Sequence, residues 1–293
     1  MDPTPISFDV PGGTLHALRF GSGPRVVLAA HGITSTAMAW PAVAAAHPDD
    51  WSLVAVDLRG RGHSRDLPGP YGLRAHAADL QAVATAIRSS TGQPVVLAGH
   101  SMGAFVAVHA AHDRPDLFSH VVLVDGGVAL PFPDGADPDE VLDRTLGPAI
   151  ERLGRTYPSV DAYVDVFRQH PAMAPTWDDT MEAYARYDTL ETDDGVRPRA
   201  LEDAVRADGR DLLVSGDEYE PEVRATSLPV QILAAPYGMF GQPGGLLPAE
   251  QLAAYDDVGH VAVETVPDVN HYTILFAPHA TARVAAAMVG EAA

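Results

Sequence analysis

The chain contains no cysteine, and all 19 of its basic residues are arginine. The missing thiols exclude a disulfide framework, a thiolate nucleophile and a cysteine-ligated metal, and they leave the redox compartment open. Long apolar runs are missing too, since none approaches the roughly 18 residues that cross a bilayer. The opening Met1-Asp2-Pro3-Thr4-Pro5 has neither the basic nor the apolar part of an export signal, so the cytoplasm is the expected location. Repeats and low-complexity segments are absent. Positive charge is scarce: 39 acidic residues leave a net charge of −20. Such a surface repels nucleic acid and anionic lipid, and neither is an expected partner. The excess acid serves solubility, and the bias towards arginine decides nothing about function.

What is present is an ordinary globular composition, 46% hydrophobic with a mean hydropathy near zero. The 293 residues are enough for one large α/β domain carrying an insertion. Ile6–Val10 and Leu15–Phe20, separated by Pro11-Gly12-Gly13, predict an opening hairpin. Arg25–Ala30, Ser52–Asp57, Pro94–Gly99 and His120–Asp125 are β-rich apolar runs of the kind buried on both faces of a parallel sheet. Helical patterns fall between them at His76–Ser90 and Met102–Asp113. Pro229–Ala235 and His260–Val266 complete the sheet, beside helices at Pro248–Tyr255 and Pro278–Val289. The alternation predicts an α/β fold with helices on both faces of a largely parallel sheet.

That rhythm breaks after Asp125. The segment 130–135 is rich in turn formers, and two helix starts follow. In the first, Asp137 is an N-cap before Pro138, with Glu140 placed to reach back. In the second, Thr176-Trp177-Asp178-Asp179 sets acid against the helix dipole. The reading is a core of residues 1–127 and 228–293 with a helical cap at 128–227 that does not fold alone.

The most informative local pattern is Gly99-His100-Ser101-Met102-Gly103, lying between a predicted buried strand and a predicted buried helix. A G-x-S-x-G turn in that context raises a serine hydroxyl from the sheet edge in a strained conformation. It also aims the free amides and positive dipole end of the following helix at the space above it. Ser101 is therefore the candidate nucleophile. A serine nucleophile requires a base, an orienting acid and an oxyanion hole. His271, in the loop between the last strand and the last helix, is the one histidine of thirteen placed to be the base. The amides of Met102 and Ile33 are the candidate oxyanion donors, with Gly32 letting the backbone approach.

The acid is less direct. No Asp or Glu occurs from Pro229 through Pro248, so the loop after the penultimate strand cannot supply it. Asp125 ends the strand beside the nucleophile's own and is the candidate; Asp268, three residues before His271, is the poorer one. Trp40, Trp177, Met181 and Tyr184 could line an apolar pocket or simply pack. His109 and His112 lie three apart without accompanying carboxylates, so no metal site is expected. Gly241–Gly245 lacks the Lys-Ser/Thr of a phosphate loop.

His31-Gly32, Asp57-Leu58-Arg59-Gly60-Arg61-Gly62-His63-Ser64, Gly99–Gly103 and His271 together resemble the α/β-hydrolase fold superfamily over nearly the whole chain. The resemblance implies a mostly parallel eight-stranded sheet flanked by helices, an inserted helical cap, and a Ser–His–Asp/Glu triad. It also implies that Asp57–Ser64 is mainly a structural loop. Zearalenone-lactone hydrolases are similar in carrying the acid after the sixth strand, which supports Asp125. The expected activity is cofactor-free hydrolysis of a small apolar ester or lactone through an acyl-enzyme. A serine at the turn argues against epoxide and haloalkane chemistry, which use a carboxylate nucleophile. Diketone C–C hydrolysis, thioester hydrolysis and ligand binding without turnover are alternatives, and the oligomeric state is left open.

Overall fold

Alternating residues of the central strands face opposite layers, so each strand is apolar along its whole length. In a computed structural model that describes residues 2–133 and 135–290, Val26, Leu28 and Ala30 enter one core cluster, while Val27 and Ala29 enter another across the sheet. Asp134, within the turn-rich stretch expected at 130–135, lies outside the described residues. The strands are β1 (Thr4–Val10), β2 (Gly13–Phe20), β3 (Arg25–Ala30), β4 (Trp51–Val56), β5 (Val95–His100), β6 (Phe118–Val124), β7 (Thr189–Thr192), β8 (Gly195–Pro198), β9 (Val230–Ala234) and β10 (Val261–Thr265). Eight of them form one sheet in the order β1-β2-β4-β3-β5-β6-β9-β10. The β1–β2 and β2–β4 pairings are antiparallel and all the others in this sheet are parallel.

Helices α1 (Pro41–Ala44), α2 (Leu73–Thr91) and α3 (Met102–Asp113) cover the sheet with α10 (Pro278–Val289). The short α9 (Ala249–Ala253) lies between β9 and β10. Helices α2 and α3 pack on one face, and α1 and α10 on the other. Ten of the twelve residues of α3 are buried, which is why its sequence is apolar around the whole circumference.

Between β6 and β9 the chain leaves the sheet for α4 (Pro138–Leu153), α5 (Val160–Arg168), α6 (Asp179–Tyr187), the β7–β8 hairpin, α7 (Glu202–Val214) and α8 (Gly216–Ala225). The stretch is not helical throughout, contrary to the sequence reading. Asp193-Asp194-Gly195 turns the chain, with Gly195 at φ 133°, and pairs two four-residue strands. Asp137 caps α4 through the Asp139 amide (2.8 Å) and Asp178 caps α6 through the Met181 amide (2.9 Å). Glu140 does not complete the expected reciprocal box: its carboxylate accepts no bond from the Asp137 amide among the described residues. Helices α4 and α7 share a small apolar cluster of their own around Leu142, Ile150 and Val205. In contrast, Tyr219 and Val223 of α8 join the core beside α3.

Candidate active site

The turn from β5 to α3 holds Ser101 at φ 53° and ψ −126°, a conformation that strains a residue with a side chain. Its surroundings hold it there. The Ser101 amide donates to the Val124 carbonyl (3.0 Å), and the Ala104 amide donates to the Ser101 carbonyl (2.9 Å). A Cβ at Gly99 would collide with the Gly103 carbonyl, and one at Gly103 with the Ala30 carbonyl. Gly126 is equally constrained against the Ser101 carbonyl, so the residue after Asp125 belongs to the same packing unit.

Asp125 follows β6 at φ 46° and is fully buried. Its amide donates to the Leu233 carbonyl (2.7 Å), which ties it to β9. Its Oδ1 accepts the Ala235 amide (2.9 Å), and its Oδ2 lies 2.6 Å from His271 Nδ1. His271 is itself 3% exposed. The Asp268 carboxylate is exposed and makes no hydrogen bond to His271. The backbone of the His271 loop is pinned twice: the His271 amide donates to the Tyr237 carbonyl (3.1 Å), and His100 Nε2 donates to the His271 carbonyl (2.8 Å). The two imidazoles lie 4.7 Å apart. Burial, followed by the neighbouring His271, pushes the His100 pKa well below the usual histidine value, so this ring is neutral. His100 was not singled out from the sequence, where it reads only as the variable position of the motif.

The Gly32 backbone lies close under Ser101: a Cβ there would sit 3.2 Å from Ser101 Cβ and 3.5 Å from its Oγ. Two groups hold the Gly32–Ile33 peptide, because its carbonyl accepts from His31 Nδ1 (2.7 Å) and from the Ser35 amide (3.0 Å). The His31 tautomer is fixed by the Leu58 amide, which donates to Nε2 (3.0 Å), leaving the proton on Nδ1. Burial lowers the His31 pKa to about 3, so the ring stays neutral. Next along, the Ile33 carbonyl accepts from Arg61 Nε (3.0 Å), and Arg61 is ion-paired with Asp208 of α7. Neither the Ile33 nor the Met102 amide donates to an acceptor among the described residues. The site therefore holds two unspent donors beside Ser101.

Three adjoining cavities lie around this point, and Ser101 lines two of them. One of about 70 Å³ is lined by Ser101, His271, Tyr184 and Tyr272. A second, of about 120 Å³, shares Tyr184 and Tyr272 with it and extends to Arg152 and His170. The third, of about 220 Å³, opens from Ser101 the other way and is walled by Met102, Phe105, Leu130, Leu142 and Leu212. Leu146 and Met239 border all three and stand between the lobes. No hydrogen bond joins Ser101 Oγ to His271 among the described residues, although both line the smallest cavity. A serine–base contact that is open in an empty site tightens when substrate arrives.

Of the four candidate pocket residues, Tyr184 lines the cavity and the other three do not. Trp40 is fully buried against the α1 and α10 side of the sheet, and Met181 is 1% exposed in that same cluster. Trp177 packs at its margin under the Arg168 guanidinium. The helical spacing of 177, 181 and 184 thus marks a packing face, of which only Tyr184 reaches the opening. Leu146, Arg152, His170 and Met239 were missed, because they converge from three separated segments with no pattern in common. Contrary to the sequence reading, carboxylates do accompany His109: its Nδ1 lies 2.6 Å from Glu222 Oε2 with Glu218 alongside, but the Arg74 guanidinium already bridges both carboxylates.

Residues 26–287 match the sequence model of the Alpha/beta hydrolase family. The chain belongs to that family. This α/β hydrolase is 31% identical over 264 residues to N-formylmaleamate deformylase of Pseudomonas putida, covering 84% of this chain and 85% of that one. It is 28% identical to 2-(acetamidomethylene)succinate hydrolase of Mesorhizobium japonicum, over 92% and 88% of the two chains. A crystal structure of E-2-(acetamidomethylene)succinate hydrolase superposes with a TM-score of 0.80 at 25% identity, covering 98% of this α/β hydrolase and 99% of that chain. The lipase LipV of Mycobacterium tuberculosis is 38% identical, but only over 45% of this chain and 48% of its own.

Proposed function

We propose that this α/β hydrolase cleaves a carboxylic ester or lactone through a serine-bound acyl intermediate. The observation that carries the reading is the Asp125–His271 pair at 2.6 Å, buried beside the strained Ser101 and two free amides. His271, held by Asp125 with its proton on Nδ1, takes the Ser101 proton at Nε2 as Oγ attacks the carbonyl carbon. The Ile33 and Met102 amides receive the oxyanion. Collapse breaks the C–O bond, and the imidazolium returns its proton to the leaving alkoxide. Water, deprotonated by His271, then releases the acid and restores Ser101. No step calls on a cofactor or metal. We read 128–227 as the cap over this site, with α4 and α7 supplying its ceiling.

A second reading, hydrolysis of an acylated amine, is favoured by the relatives that match most of the chain, whose names describe a deformylase and an acetamido-compound hydrolase. The same residues would serve it, with nitrogen as the protonated leaving atom. Labelling by a fluorophosphonate, followed by a panel of p-nitrophenyl esters, lactones, thioesters and N-acyl compounds, tests both. Equal labelling of the wild type and Ser101→Ala sinks the serine-hydrolase reading. Turnover confined to N-acyl compounds replaces the first reading by the second.

A further inference from the structure

The cavities on the two sides of Ser101 differ in chemistry. The larger is walled by aliphatic and aromatic side chains. At about 220 Å³ it exceeds the roughly 150 Å³ dry apolar cavity that accepts a benzene-sized ligand. The lobe on the His271 side leads instead to Arg152, which is 7% exposed. Its Nη1 donates to Tyr163 Oη and to Asp188 Oδ2 (3.1 Å), and its guanidinium carbon lies 4.8 Å from the centre of the Phe167 ring. Nε and Nη2 donate to no acceptor among the described residues, so one edge of a buried guanidinium is unspent.

Two further donors line the same lobe. The Ala172 amide donates to His170 Nδ1 (3.3 Å), which places the ring proton on Nε2. Burial, with Arg152 adding to it, holds the His170 pKa below the usual value, so the ring is a neutral donor. Tyr272 also lines the lobe with no acceptor for its hydroxyl among the described residues, and burial pushes its pKa up to about 12. These three residues line the lobe with donors to spare, and a guanidinium edge best matches a carboxylate. Arg152 is the only arginine lining the three cavities among the described residues, and Asp188 already shares its charge. A single negative charge fits this balance better than a dianion does.

From this geometry we infer that the lobe lined by Arg152, His170 and Tyr272 binds a carboxylate on the leaving-group side of the substrate, while the apolar lobe takes the acyl chain. The inference rests on the proposed ester cleavage and names its substrate class: a medium-chain acyl ester of a hydroxy acid. The side follows from His271, which must protonate the leaving oxygen and which lies towards the Arg152 lobe.

The test compares 3-(hexanoyloxy)benzoate with 3-(hexanoyloxy)benzamide, esters that differ in the charge of the leaving alcohol. The expected result is a kcat/KM at least tenfold higher for the benzoate, carried by KM. In the double variant Arg152→Gln/Asp188→Asn, which leaves no unpaired buried charge, the ratio falls to near one. A ratio near one in the wild type, with the benzamide ester turned over, overturns the subsite and leaves the hydrolase reading standing. A ratio unchanged in the folded double variant overturns it as well. Should the variant not fold, or neither ester be cleaved, calorimetry of the wild type decides. Binding of 3-hydroxybenzoate at least tenfold tighter than 3-hydroxybenzamide supports the subsite, and equal or absent binding refutes it. Failure of the proposed function appears separately, as loss of Ser101-dependent fluorophosphonate labelling.

Discussion

Replacing Asp125 by asparagine isolates the proposed orienting acid with little change of shape. The native carboxylate divides its two oxygens: Oδ1 takes the Ala235 amide at 2.9 Å, and Oδ2 takes His271 Nδ1–H at 2.6 Å. An asparagine carbonyl can keep the Ala235 bond, which turns its NH₂ towards Nδ1. That contact forces Nδ1 to accept, moves the ring proton to Nε2, and leaves no lone pair to receive the Ser101 proton. The φ of 46° at this position suits asparagine as well as aspartate, so the backbone is not newly strained. The expected loss in kcat is on the order of 10³–10⁴, about 4–5.5 kcal/mol of transition-state stabilisation. The loss of fold stability is about 1–3 kcal/mol, from exchanging a charge-assisted bond for a neutral one. Steady-state kinetics on the best p-nitrophenyl ester and a urea melt measure the two effects. Asp268→Asn, which alters an exposed carboxylate, should change kcat less than threefold. A loss below tenfold for Asp125→Asn, or an equal loss for Asp268→Asn, would refute the assignment.

Gly32→Ala places a methyl group 3.2 Å from Ser101 Cβ; it should lower kcat at least tenfold in the ester assay while the protein still folds. Gly103→Ala meets the rigid Ala30 carbonyl instead and should cost more than about 3 kcal/mol in a denaturant melt. Filling the apolar lobe with Leu212→Trp should move the acyl preference towards acetyl, read as the ratio of p-nitrophenyl acetate to hexanoate turnover. Asp208→Asn breaks the fully buried pair with Arg61 and should destabilise by about 3–5 kcal/mol in the same melts.

Most of the sheet was legible because its strands are buried on both faces and so read as unbroken apolar runs. Arg25–Ala30, Met102–Asp113 and Pro278–Val289 are found at the residues expected. The inserted stretch was harder for a definite reason. Its hairpin strands are only four residues long and partly exposed, so neither apolar length nor alternation marks them. The candidate site divides the same way. Ser101, His271 and Asp125 are tied to strand ends, where topology brings the chain together. Arg152, His170 and Met239 are brought there by the packing of α4, a loop after α5 and the loop after β9.

The pH dependence of stability follows from residues that the sequence could name but not place. His31 titrates near pH 3 and His47 near pH 4 in the folded protein, and His100 well below 6.5, each chiefly because burial disfavours the charged ring. In the unfolded chain all three return to about 6.5. Between pH 6.5 and the folded values the unfolded state therefore binds more protons, and stability falls as the pH falls. Once the unfolded rings are protonated, His31 and His47 each contribute about 1.4 kcal/mol per pH unit, so near pH 5 their combined slope is roughly 3 kcal/mol per unit, and His100 acts in the same direction. Urea melts at pH 7, 6 and 5 measure it, and a flat profile over that range would refute the neutral buried state of these rings. Since His31 holds the Gly32 carbonyl through Nδ1–H with Nε2 occupied by the Leu58 amide, charging it must break the Leu58 bond. Acid should thus disturb the amide beside Ser101 through the same ring that keeps it in place.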